Sequence, residues 1–69
     1  MQAKYKIGLK FIRYSNKRKD IETINDILTT RNSKNEIVKI IYLTNHVFCG
    51  QTINAEIPAS TIARSTILG

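Results

Sequence analysis

The chain has 69 residues and a mass of 7.9 kDa, enough for one small domain that buries only about 60% of the surface its unfolded form exposes. A core of that size leaves little volume for a deep catalytic cleft, and a partner or self-association would add burial that the chain cannot supply alone. Hydrophobic residues make up 42%, charged residues 23%, and the formal net charge is +6, a balance that argues against a disordered chain.

Side-chain chemistry favours strands. Twelve Ile, two Val and seven Thr stand against four Ala and four Leu. Branching at Cβ costs rotamer freedom in a helix and suits a pleated surface. The longest uninterrupted apolar run, Ile40–Leu43, is far below the roughly 20 residues that span a bilayer. The N-terminus carries basic residues without the apolar block of a secretory signal, so none is expected. A single cysteine, Cys49, allows no internal disulfide and fits a reducing cytoplasm.

Taken in chain order, Tyr5, Ile7, Leu9 and Phe11 alternate with Lys4, Lys6, Gly8 and Lys10. This period of two predicts a strand with its lysines on the solvent face. The apolar phase changes at Ile12 and Tyr14, which predicts a bulge or bend near Arg13. The stretch from Ser15 through Asn16 to Asp20 is polar and charged and predicts a loop. From Glu22 to Thr30 a strand is preferred over a helix capped by Asp20, because Ile21, Ile24, Ile27 and the threonines are poor helix formers. Residues Arg31–Glu36 predict a hairpin loop, since Asn and Ser bond their own backbone.

Ile37–Thr44 is apolar on both faces and predicts a central strand buried on both sides or curled round a barrel. Asn45-His46 is expected to bend it and Val47-Phe48 to continue it. Cys49-Gly50 predicts a turn before a short strand at Gln51–Ile53. Pro58 marks an edge or turn, Pro58–Thr61 one turn of 3₁₀ helix, and Thr61–Arg64 a short closing strand. The fold expected is all-β: one domain over residues 1–69, an SH3-like or OB-like barrel or a strongly twisted antiparallel sheet of four or five short strands.

The cations are unevenly placed. Residues 1–19 hold Lys4, Lys6, Lys10, Arg13, Lys17, Arg18 and Lys19 and no acid, so the block carries +7 and the remainder −1. Such asymmetry predicts one positive surface, which nucleic acid, an anionic membrane face or an acidic protein could meet. Phosphates need cations spaced along a surface, and Tyr14, inside the block, is a stacking platform for a base or sugar. The alternative is a solvated strand face and loop that only aid solubility. There is no RNP motif, zinc-finger spacing or helix-turn-helix pattern.

Other chemistry is sparse. His46 and Cys49 cannot fill a four-ligand zinc site unless a symmetric dimer supplies two each, and a nucleophilic Cys–His pair is conceivable, but a separation of three on a strand puts the two on opposite faces. A buried thiol and a surface histidine are expected. Asp20, Glu22 and Asp26 would share one strand face, with charge balance against Lys17, Arg18 and Lys19 as the simpler role. Gly8, Gly50 and Gly69 form no phosphate-cradling motif. No metal, cofactor or catalytic residue is expected, and the chain reads as a non-enzymatic binding module. The apolar segment Ile37–Leu43 is either core or an edge for strand addition, and self-assembly by strand pairing is a further option.

Arg18-Lys19-Asp20, Asn25-Asp26-Ile27, Thr29-Thr30-Arg31-Asn32, Glu36-Ile37-Val38-Lys39, Tyr42, His46, Phe48, Gly50-Gln51 and Thr61-Ile62-Ala63-Arg64 resemble small proteins encoded by tailed phages and prophages, over about two thirds of the chain. The resemblance implies a virus-encoded protein acting in a bacterial cytoplasm and transfers no site residue. It raises a second functional reading, an inhibitor that docks on a host defence or transcription protein and blocks it.

Overall fold

The computed structural model describes residues 2–15 and 17–69, without the Ser15 side chain. Five strands, β1 (Lys10–Ser15), β2 (Arg18–Arg31), β3 (Ile37–Phe48), β4 (Gln51–Pro58) and β5 (Thr66–Ile67), and one short helix, α1 (Ala59–Ala63), follow one another in that order apart from α1, which lies between β4 and β5. The strands form one antiparallel sheet in the order β4-β3-β2-β1-β5. The first four are joined as a meander, and α1 carries the chain from the β4 edge to the β5 edge. The all-β expectation holds in its twisted-sheet form, since the sheet stays open and does not close into a barrel. The two longest strands, of 14 and 12 residues, exceed the short strands expected.

One face of the sheet, the inner face, is covered by α1 and the N-terminal segment. Phe11, Ile24, Tyr42, Ile57 and Ile62 are buried there, with Tyr5, Leu9, Ile27, Ile40, Ala55 and Ala59 packed against them. Pro58, extended at φ −76° and ψ 160°, starts α1, and Ser65 Oγ donates to the Thr61 carbonyl at 2.8 Å to close its far end. Thr61–Ala63 thus belongs to the helix. The closing strand comes later, where Phe11 pairs with Ile67 and Ile12 with Thr66.

The first predicted strand is displaced. Gly8 takes φ +95°, a conformation open to glycine without steric cost, and the chain turns there, with Leu9 N donating to the Lys6 carbonyl at 3.1 Å. Residues 2–9 therefore precede the sheet, while Lys10–Ser15 forms β1. No bulge falls at Arg13, because β1 and β2 pair without interruption from Lys10↔Thr23 to Ser15↔Arg18. The phase change at Ile12 and Tyr14 reflects a strand with side chains of mixed character on both faces. The bulge sits in β2, where Ile24 pairs with Thr44 but Asp26 with Leu43, leaving Asn25 as the extra residue. One inserted residue reverses the facing of all that follow. Asp20 and Glu22 point inward and Asp26 outward, against the expectation that all three share a face.

Beyond the bulge, β2 and β3 continue past the pairing limits of β1, at Thr23, and β4, at Ile41. A two-stranded ribbon projects there. It accounts for extents of 44 × 22 × 22 Å and a radius of gyration of 13.0 Å, against about 11 Å for a compact domain of this length. The ribbon tip falls where the hairpin loop was expected, and the Asn32 carboxamide oxygen accepts from the Lys34 and Glu36 amides at 2.9 and 3.0 Å. β3 lies between β2 and β4, and its pairing with β4 runs through Asn45-His46 without a register shift. Its apolar segment is not buried on both sides: Tyr42 is enclosed, Ile37, Ile40, Ile41 and Leu43 are half-buried, and Val38 is exposed. A single sheet covered on one face cannot bury both.

The β3–β4 turn is made by Cys49 (φ +52°) and Gly50 (φ +76°), the pair of positive φ angles that marks a type I′ hairpin turn and favours Asn-Gly. A cysteine held in the left-handed region costs about 1–2 kcal/mol, and asparagine tolerates it better. Cys49→Asn is expected to stabilise the domain by about 0.5–1 kcal/mol, read as a higher urea midpoint at unchanged m-value. An unchanged midpoint would show that the turn is not strained at this position.

Candidate nucleic-acid interface

Hairpin register divides the N-terminal basic block. Lys10, Ile12 and Tyr14 of β1 lie on the outer, uncovered face together with Lys19, Ile21 and Thr23 of β2, because their pairings Lys10↔Thr23, Ile12↔Ile21 and Tyr14↔Lys19 place them on one side of the pleat. Lys10 Nζ donates to Thr23 Oγ1 at 3.0 Å. The Lys19 ammonium lies 5.9 Å from the Tyr14 ring centroid, near the outer limit for attraction to an aromatic face. The Tyr14 hydroxyl shares a hydrogen bond with Thr66 Oγ1 at 3.2 Å. Lys17, at φ +67°, sits in the turn between β1 and β2. Arg18, Lys19 and Asp20 open β2 instead of lying in a loop, and Asn16 falls outside the described residues.

The two arginines of the block lie on the inner face. Arg13 Nε donates to Glu22 Oε2 at 2.8 Å. Arg18 Nη2 donates to both carboxylate oxygens of Asp20, at 3.0 and 3.1 Å, and its guanidinium stacks 4.0 Å above the Phe48 ring. Glu22 Oε1 accepts from Thr44 Oγ1 at 3.1 Å and is bonded to His46 Nδ1 at 3.0 Å. Glu22 is 0% exposed and His46 7%. These contacts continue the core in polar form toward the β1–β2 and β3–β4 turns. Burial without partners would be costly for each group, and among the described residues no buried side-chain nitrogen or oxygen lacks one.

Of the eight residues expected to form one surface, Lys10, Tyr14 and Lys19 share the outer face with Lys17 at its end. Lys4 and Lys6 lie on the segment before the sheet and are exposed. Arg13 and Arg18 are turned inward and paired with carboxylates. The split follows chemistry as well as parity. A planar guanidinium matches a carboxylate and sheds its weaker hydration more readily than an ammonium, so the arginines took the inward positions beside Asp20 and Glu22. Among the described residues, none of the lysines makes an ion pair.

The expectation for His46 and Cys49 is reversed. The histidine is buried and the thiol is exposed. The contact of Glu22 with His46 had no signal in the chain, since the two are 24 positions apart and meet only through the β2–β3 register. Among the described residues, no group of three or more His, Cys, Asp or Glu side chains is placed to hold a metal ion, and no helix is long and apolar enough to cross a membrane. No family model, curated protein or solved structure matches the chain.

Proposed function

We propose that the protein is a non-enzymatic binding module that docks on the backbone of nucleic acid through Lys10, Lys17 and Lys19, with Tyr14 as a stacking platform. The observation that carries this reading is the segregation of charge: Arg18 and the Nε of Arg13 face the carboxylates of Asp20 and Glu22, while the lysines of the β1–β2 hairpin are exposed and, among the described residues, make no ion pair, beside an exposed tyrosine. Lys4 and Lys6 extend the positive field. Ammonium groups that act as point charges favour phosphate contacts with little sequence preference. A phage-encoded protein working in a bacterial cytoplasm is the setting we infer from the sequence resemblance.

The test is a titration with single-stranded DNA and RNA at 50 and 200 mM salt. Three phosphate contacts imply a logarithmic salt slope near −2 for a single strand, so affinity should fall about 20-fold over that range. Combined Lys10→Glu, Lys17→Glu and Lys19→Glu substitution should abolish binding. No binding at 50 mM salt, or binding indifferent to the three reversals, overturns the reading.

The outer face also favours a second reading, a phage-encoded inhibitor seated on an acidic host protein. Ile21 is 57% exposed and Val47 71%, beside Lys10 and Lys19 along a shallow depression. An apolar centre with a charged rim resembles a protein interface. A complex of defined stoichiometry that survives nuclease and is lost on Ile21→Lys would favour it over the first.

A further inference from the structure

The free end of β1 borders a cleft of about 320 Å³ lined by Arg13, Tyr14, Thr61, Arg64 and Ser65. Among the described residues, no carboxylate lines it. Two arginines line it from different parts of the chain, Arg13 from β1 and Arg64 from the end of α1. Each is held by its Nε: Arg13 to Glu22 Oε2 at 2.8 Å, and Arg64 to the Ser60 carbonyl at 3.4 Å. In both side chains the terminal Nη groups make no hydrogen bond among the described residues. Arg13 keeps 27% of its side-chain exposure, and Arg64, with no acidic partner among the described residues, is exposed. The Thr61 hydroxyl adds a donor that makes no hydrogen bond among the described residues, whereas the Ser65 proton is committed to the Thr61 carbonyl.

We propose that this cleft is a phosphate-binding subsite in which Arg13, Arg64 and Thr61 take one phosphate group of a nucleic-acid strand. The chemistry selects phosphate over carboxylate. One guanidinium fork satisfies the two oxygens of a carboxylate, while two forks and a hydroxyl match the larger number of acceptors on a tetrahedral phosphate. Anchoring at Nε on the buried Glu22 carboxylate fixes the Arg13 fork before the ligand arrives, which lowers the ordering cost of binding. Tyr14 connects the subsite to the lysines, because it walls the cleft and also lies beside Lys19 on the outer face. A strand whose phosphate sits in the cleft can stack its adjoining base on Tyr14 and continue toward Lys19 and Lys10. The identity of the ligand as nucleic acid rests on the function proposed above, while the affinity of the cleft for phosphate does not.

The experiment is an amide chemical-shift titration of the full chain with inorganic phosphate, thymidine monophosphate, thymidine and a single-stranded oligonucleotide. Phosphate and the monophosphate are expected to shift Tyr14 and residues 61–65 saturably, the monophosphate more tightly, and thymidine not at all. Arg64→Gln should weaken the monophosphate at least tenfold, and Arg64→Lys should recover part of the loss. The dispersed spectrum of each variant verifies the fold, which is at little risk because, among the described residues, the Arg64 side chain is bonded only to its own helix. Lys17→Glu with Lys19→Glu should leave inorganic phosphate binding at residues 61–65 in place. If shifts are unsaturable, spread over all lysines, or unchanged by Arg64→Gln, the subsite is overturned even when the oligonucleotide binds. If phosphate binds in the cleft and the oligonucleotide does not bind, the subsite stands for free phosphate and the nucleic-acid reading falls.

Discussion

Glu22→Ala is expected to remove about a third or more of the domain's stability at 25 °C. The carboxylate is fully enclosed and accepts from Arg13 Nε and Thr44 Oγ1 while bonding His46 Nδ1. Truncation removes the acceptor from all three and strands a guanidinium at the edge of the core. Breaking a buried pair by deleting one partner costs about 3–5 kcal/mol, and a chain of this length has a total stability of about 3–10 kcal/mol. The loss is therefore a large fraction of the whole. Glu22→Gln keeps the shape and one acceptor but turns an amide toward a donor, so its cost should be smaller, about 1–3 kcal/mol. Urea denaturation of the three proteins, followed by circular dichroism, checks the order wild type, Gln, Ala. A cost below about 1 kcal/mol for Glu22→Ala would mean that water reaches the site and that the network is not part of the core.

The second large effect is expected at Tyr42, where two roles can be separated. Its buried ring meets Tyr5 edge to face, with centroids 5.5 Å apart at 71°, and its hydroxyl accepts from the backbone amides of Lys4 and Tyr5 at 3.0 and 3.4 Å. Tyr42→Ala empties the centre of a core with few fully buried residues and should cost about 3–5 kcal/mol. Tyr42→Phe keeps the ring and removes only the acceptor, for about 1–2 kcal/mol. The second variant should act locally, with faster hydrogen exchange at Lys4 and Tyr5 while the β2–β3 amides keep their protection. If the proposed function is right, it should also weaken nucleic-acid binding slightly, because the hydroxyl tethers the segment that carries Lys4 and Lys6. Uniformly faster exchange across the sheet in Tyr42→Phe would show that the hydroxyl supports the whole fold and not the segment.

Much of the architecture is legible in short stretches of the chain. The scarcity of helix formers between Ile21 and Thr30 marks a strand, and a strand is present. The polar run at Arg31–Glu36 and the pair Cys49-Gly50 mark reversals, and both occur there. These signals depend on side-chain branching and on backbone conformations of one or two residues, so neighbours in sequence suffice to reveal them. The expected loop at Ser15–Asp20 failed for a related reason. A run of lysine, arginine and aspartate looks solvated when read alone, yet across a pleat Arg18 and Asp20 face the same side and neutralise each other.

From the sequence alone follow the all-β class, the places where the chain reverses, and the crowding of cations toward its beginning. Tertiary structure decided which face each cation occupies, that the sheet stays open, that Glu22 meets His46, and that Arg13 and Arg64 line one cleft. The reason is geometric. Facing along a strand depends on parity, and a single extra residue such as Asn25, or a turn such as that at Gly8, inverts or ends the alternation without a mark in composition. Contacts between strands depend on register, which is set by the joint packing of Phe11, Ile24, Tyr42, Ile57 and Ile62 and belongs to no local stretch of the chain.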